Sequence, residues 1–138
     1  MLDVALETAG ATIAQASSYN ERYPPENIID GTLDTFWPTS GLFPQEFIVS
    51  FSSLMSIGMI KIMCSNVKNL HIQRSIKSDP VEFENLAEKE LENLEGQLQM
   101  EDIKVPITSA SHVRFVIKTG YDHFASIHRV MIEGSAVH

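Results

Sequence analysis

The sequence predicts an all-β domain of the sandwich or barrel type. Short stretches of branched and aromatic residues recur along the chain, separated by turn residues, and no repeat or low-complexity linker divides them. Its 138 residues, 43% hydrophobic and 20% charged, have ordinary globular composition. That length suits one domain spanning residues 1–138, with a core that needs no disulfide staples.

Taken in order, the clearest strands are Phe47-Ile48-Val49-Ser50-Phe51 and Ile57-Gly58-Met59-Ile60-Lys61-Ile62. Leu70-His71-Ile72-Gln73-Arg74-Ser75 follows, alternating in part, and Val113-Arg114-Phe115-Val116-Ile117 and Val130-Met131-Ile132-Glu133 complete the set. The stretch from Asp79 to Asp102 is ambiguous. Phe83, Ala87, Leu91, Leu94 and Leu98 recur every three or four residues, which predicts an amphipathic helix. Val81 and Phe83 alternate with Glu82 and Glu84, however, and Gly96 weakens a helix.

Charge is distributed unevenly. Lys and Arg number 10 against 18 Asp and Glu, a net charge of −8. Between Asp79 and Asp102 nine acids face one base, Lys89, so this strip holds the whole imbalance. With no Lys/Arg cluster, nucleic acid and anionic membranes are poor partners, because their phosphates need cations. No apolar run is long enough to span a bilayer, so no membrane insertion is expected. Cys64 is the only cysteine and sits in the apolar run Met59–Cys64, which predicts a buried, inert thiol. The lack of bridges and of a signal-peptide pattern at Met1-Leu2-Asp3-Val4 predicts a soluble intracellular protein.

Residues 16–37 carry the chemistry. Pro24 and Pro25 set an extended approach, and Asp30-Gly31 signals a turn in which Gly31 takes positive φ. The long loop is rimmed with oxygen donors at Asn27, Asp30, Thr32, Asp34 and Thr35. Such a loop suits a hard cation, which wants six to eight oxygens, although the spacing is not that of an EF-hand. An Asx-type turn, with Asp30 accepting from nearby amides, explains the same residues.

The run Ala16–Trp37, with its Ser-rich strand, Asn-Ile-Ile-Asp-Gly and Thr-Phe-Trp, resembles the opening signature of the galactose-binding, discoidin-like domains. Pro44–Val49, His112–Ile117 and Ile127–Gly134 are similar to later strands of that family, so the resemblance covers nearly the whole chain. It implies a jelly-roll β-sandwich in which the acidic strip forms strands and a turn, with Val81 and Phe83 facing inward. It also implies a structural calcium site with Asn27 (carbonyl), Asp30 (carboxylate), Thr35 (hydroxyl and carbonyl) and Glu133 (carboxylate) as ligands. Two carboxylates would neutralise the divalent ion and tie the first loop to the last strand.

Within that superfamily, Tyr23–Gly31, Gly41–Ile48, Glu95–Gln99 and Asp122–His128 resemble a family of ciliary transport subunits. That resemblance implies a non-enzymatic subunit of intraflagellar transport complex B in the cilium and cytoplasm. It further implies a heterodimer with a Rab-like small GTPase (intraflagellar transport protein 27) and roles in ciliary cargo export and Hedgehog signalling. Loop-placed aromatic and polar-aromatic residues, Phe43, Tyr121, His123 and Phe124, are the candidates for the partner face.

Other constellations have plainer readings. Asp122, His123, Ser126 and His128 invite a hydrolase, but they crowd within seven residues without a Gly-x-Ser-x-Gly elbow, and turn and surface roles fit them. Trp37 and the phenylalanines suit the core. Phe43 either stands exposed beside Leu42 or plugs the end of the sandwich. Carbohydrate binding is the alternative function, with Arg114 a candidate sugar contact or a cross-strand partner. Ile60-Lys61-Ile62 lies in a strand context that does not support a small heat-shock role.

Overall fold

The computed structural model describes residues 2–137, and eight strands account for most of them. They are β1 (Leu2–Asp3), β2 (Thr12–Ala16), β3 (Trp37–Pro38), β4 (Gln45–Ser65), β5 (Val67–Ser75), β6 (Glu84–Glu90), β7 (Gln99–Gly120) and β8 (Ser126–Ala136). Two 3-10 turns, Glu7–Ala9 and Pro25–Ile29, are the only helical elements among the described residues.

The two stretches expected as separate strands at 47–51 and 57–62 belong to one 21-residue strand, β4. Its pairing explains the polar interruption between them. Gln45–Ser50 pair with His112–Ile117 of β7 and, on the other side, with β2. The register breaks between Ser50 and Met55, and from there β4 pairs with the first half of β7 and with β8. Each long strand therefore leaves one layer and enters the other. One layer runs β2, β4, β7, β5, β6, and the other runs β7, β4, β8, with β1 and β3 on the far edge of β8. A second break lies at Gly58, where Ile57 faces Thr108 and Met59 faces Lys104. Pro106 sits in the surplus residues of that bulge, where its missing N–H costs no ladder bond.

Inward residues of both layers form one cluster. Phe47, Val49, Leu70, Ile72, Val113, Phe115 and Ile117 come from the first, and Ile57, Ile60, Ile62, Cys64, Ile127, Val130 and Ile132 from the second. Trp37 meets Phe47 edge-on at 5.5 Å between centroids, and Phe47 stacks on Phe115 at 4.8 Å. Each such side chain, fully buried, contributes about 1.5–3 kcal/mol.

The acidic strip is not a helix. β6 is the edge strand, paired to β5, with Glu84, Glu88 and Glu90 exposed. Its register slips between Ile72 and Gln73, so Leu86 bulges and packs with Ala87 against the core. The three-to-four spacing that suggests a helix thus arises from this bulge followed by a loop. Neither residue takes the expected inward orientation: Phe83 lies under the outward-facing Arg114 guanidinium at 4.2 Å, outside the core cluster, and Val81 is 51% exposed. Positive φ at Glu82 and the bond from Ser75 Oγ to the Val81 carbonyl hold this residue in a turn rather than an alternating strand.

Buried Gln99 closes the loop that follows β6. Its Oε1 accepts from the Val67 amide at 3.0 Å, and its Nε2 donates to the carbonyls of Val67 at 2.7 Å and Glu92 at 2.8 Å. Gln99→Ala strands all three backbone groups and should lower unfolding stability by about 2–4 kcal/mol in urea denaturation; a loss under about 0.5 kcal/mol would remove the brace from the account.

Cys64 beside it is buried, and burial, with Glu101 adding, pushes its thiol from 9.0 up to about 12. The folded chain should therefore resist thiol reagents at pH 8 and react in urea. Unfolding returns the thiol to its ordinary range, so its contribution to stability is intact below pH 9 and is lost as pH climbs toward 12. Cys64→Ala should flatten that part of the stability profile; an unchanged profile would show that other groups set it.

Candidate functional site

The loop between β2 and β4 is closed by a buried polar clamp. Ser18 Oγ donates to Gln45 Oε1 at 2.6 Å and accepts from the Ser40 amide at 2.8 Å. Gln45 Nε2 donates to the carbonyls of Ser40 and Leu42, both at 2.8 Å, and Trp37 Nε1 donates to the Ser18 carbonyl at 2.9 Å. Within this loop Pro24 is extended, as expected, but Pro25 opens the 3-10 turn that drives Ile28 and Ile29 into the core. A proline suits the first helical position because the N–H it lacks has no partner there.

That turn places the oxygen donors. Asp30 Oδ1 accepts from the Thr32 amide at 3.0 Å while Gly31 takes φ +82°, the expected Asx-type turn. Asp30 Oδ2 lies 2.5 Å from Thr35 Oγ1, which in turn lies 3.5 Å from the Asn27 carbonyl oxygen. Asn27 Nδ2 donates to the Phe36 carbonyl at 3.0 Å, so the side chain fixes the loop and its backbone oxygen faces Thr35. A carbonyl, a carboxylate and a hydroxyl thus converge, a donor set that fits a hard cation. Among the described residues no three His, Cys, Asp or Glu side chains gather as metal ligands, so carbonyl and hydroxyl oxygens would carry much of the coordination. Glu133 stands on β8 opposite Asp3 and Met59, and its carboxylate is 3.9 Å from Lys61 Nζ. Hydrogen bonding joins three of the four expected ligands, and the fourth is engaged with a lysine.

A second polar region lies at the end of the sandwich where β4 leaves and β8 begins. The loop at 93–98 and residues Tyr121, Asp122, Ser126 and His128 enclose a cleft of about 550 Å³. His128 stacks on Phe36 at 5.2 Å, and Phe36 stacks on Tyr23 at 4.7 Å, so an aromatic row leads from the first loop into this cleft. Ser126, expected on the surface, is buried, and its Oγ lies 3.5 Å from His128 Nε2. The remaining parts of a catalytic triad do not assemble. His128 Nδ1 faces the Leu33 carbonyl at 3.5 Å, and Asp122 Oδ1 accepts from the His123 amide at 2.7 Å.

The four partner-face candidates separate in character. Phe43 is half-buried against the core cluster, where its ring covers Gly120; a Cβ at that glycine would come within 2.7 Å of Phe43 Cζ. It plugs the sandwich end, and Leu42 beside it is the exposed residue, at 89%. Tyr121 is anchored, its hydroxyl donating to the Leu91 carbonyl at 2.6 Å, with Lys68 Nζ over its ring at 5.9 Å. His123 is exposed and Phe124 is 49% exposed, so these two remain available to a partner. Arg114 is committed across the sheet, donating from Nε to Gln73 Oε1 at 2.7 Å and lying 4.0 Å from Glu46. The polar cleft itself went unforeseen. Its sequence signal is Glu95-Gly96, a turn with Gly96 at φ +71°, which lies between Glu92 and the buried Gln99 that bonds the Glu92 carbonyl.

Comparison with known proteins agrees with this architecture. The F5/8 type C domain model matches residues 12–130. The chain is 45% identical to the human (Homo sapiens) intraflagellar transport protein 25 homolog, covering 99% of this chain and 94% of that protein. It is 37% identical to Chlamydomonas reinhardtii intraflagellar transport protein 25, covering 97% of this chain and 70% of that one. A family 32 carbohydrate-binding module from Clostridium perfringens NanJ, solved in complex with galactose, superposes with a TM-score of 0.78 at 19% identity, over 95% of this chain and 98% of that one. This likeness extends to the jelly-roll fold. The chain belongs to the F5/8 type C domain family and, within it, to the intraflagellar transport protein 25 family.

Proposed function

We propose that the chain is a non-enzymatic subunit of intraflagellar transport complex B, working in the cilium and cytoplasm as a rigid platform for a Rab-like small GTPase (intraflagellar transport protein 27). The observation that carries this reading is identity to intraflagellar transport protein 25 relatives along nearly the whole chain. Ciliary cargo export and Hedgehog signalling belong to the same reading. A β-sandwich suits a platform, because its end loops are tied down, at Leu42 by Gln45 and beside Phe124 by Thr39, and present those two exposed side chains at low ordering cost. The carbohydrate-binding alternative is weakened by Arg114, whose guanidinium is taken up by Gln73, Glu46 and Phe83. Affinity purification of the tagged chain from ciliated cells should recover the GTPase at near-equal amounts. Recovery of glycoconjugates without a small GTPase would overturn the assignment.

Calcium belongs to the same reading. Asn27, Asp30 and Thr35 would hold it through the three oxygens that already converge, and Glu133 would join on release from Lys61. The ion would supply a fixed positive charge linking the first loop to the last strand. Titrating chelator-stripped protein with Ca²⁺ should raise the melting temperature by several degrees, since a ligand at a hundred times its Kd adds about 2.7 kcal/mol. Asp30→Asn should abolish the rise; a wild-type protein that does not respond would exclude the site.

A further inference from the structure

The cleft at the end of the sandwich is walled by the acidic loop and holds no cation of its own. Glu95 and Asp122 face it, while no Lys or Arg lines it. Among the described residues neither Glu95, Asp122 nor the adjacent Glu92 belongs to an ion pair. Most other acids of the strip from Glu82 to Glu101 are partnered: Glu82 by Lys77, Glu84 by Arg74, Glu88 by His71 and Glu101 by Lys89. Among the described residues Glu90, Glu92 and Glu95 are thus consecutive unpaired acids leading to this cleft, with Asp79 and Asp102 also unpaired at the two ends of the strip. Lys68 Nζ lies over the Tyr121 ring at 5.9 Å from its centroid.

The base of the acidic wall is anchored. Leu91 is buried and its amide donates to the Lys68 carbonyl at 2.8 Å, Tyr121 bonds its carbonyl, and Gln99 bonds the Glu92 carbonyl. A volume of about 550 Å³ lies within the range of binding clefts and suits one or two side chains of an extended segment. The side-chain amides of Asn66, Asn93 and Gln97 can pair with a peptide backbone.

We infer that this cleft is a docking slot for an arginine- or lysine-bearing segment of a partner protein, with Glu95 and Asp122 pairing its charge. The inference needs a cationic chain segment and does not depend on which protein supplies it, so failure to recover the GTPase would leave it standing. The test is calorimetric titration of the full chain at 150 mM salt with the acetylated, amidated peptide Arg-Ala-Arg-Ala-Arg, and with Glu-Ala-Glu-Ala-Glu as control. The basic peptide should bind one to one and shift amide resonances of residues 93–98 and 121–128. Glu95→Gln with Asp122→Asn should weaken it by about tenfold or more, because both contacts are charge-assisted. Glu88→Gln with Glu90→Gln removes the same charge from the edge strand and should cost less than about twofold. The slot is overturned by absence of basic-peptide binding, by equal losses in the two variants, by shifts centred on β6, or by acidic-peptide binding of equal strength. If the cleft variant is misfolded by its own amide spectrum, the wild-type shift map decides between these outcomes.

Discussion

Pairing of β4 with β7 runs from Gln45 against Ile117 to Cys64 against Gln99, and both strands change layers partway along. This shared bend couples the two halves of the sandwich. A strand confined to one layer could slide by two residues and keep its inward side chains inward. A strand paired in both layers cannot, because the same slip would misplace Phe47 against Phe115 in one and Ile60 against Ile103 in the other. The irregularities at Ser50–Met55 and Gly58 let the chain turn this corner, and Pro106 is tolerated at the second of them.

The same pairing puts a buried glutamine at each extreme. Gln45 begins β4 and ties the first loop through Ser18 and Ser40, and Gln99 begins β7 and ties the acidic loop through Val67 and Glu92. Loops carry backbone groups that no ladder satisfies, and an apolar core offers them nothing. An amide side chain offers both a donor and an acceptor, so a single residue can serve a loop's carbonyls and amides at once. Gln45 and Gln99 thereby satisfy backbone groups of the loops at the two ends of this pairing.

Alternation of branched and aromatic residues made the inner strands legible, since a half-buried strand writes its orientation into a period of two. The oxygen-rich turn at Asn27–Thr35 was legible for a similar reason: Asp30 and Gly31 are residues with specific backbone consequences. Three features were not. The continuity of β4 is hidden because the corner residues Ser52 and Ser53 read as a break, although the chain stays extended through them. The edge strand is hidden because a one-residue bulge at Leu86 converts its period of two into an apparent period near 3.6. The cleft is hidden because its walls come from segments near 66, 95 and 126, which β4 and β8 bring together where Ser65 faces Ser126.

The acidic strip shows how one sequence feature divides into two physical roles. Along β6 the carboxylates are exposed and partly paired, and on an edge strand such charge discourages another chain from adding to the sheet. Past Leu91 the chain leaves the edge, and Glu95 faces a concave space that no Lys or Arg lines. Edge protection requires only that charge be present and solvated, so the position of each glutamate matters little there. Recognition requires charge at a defined place, and Tyr121 and Gln99 anchor the base of the loop that bears Glu95 through the Leu91 and Glu92 carbonyls. The calcium ligands proposed at Asp30 and Glu133 lie outside this strip, so metal binding and charge recognition are separable by mutation.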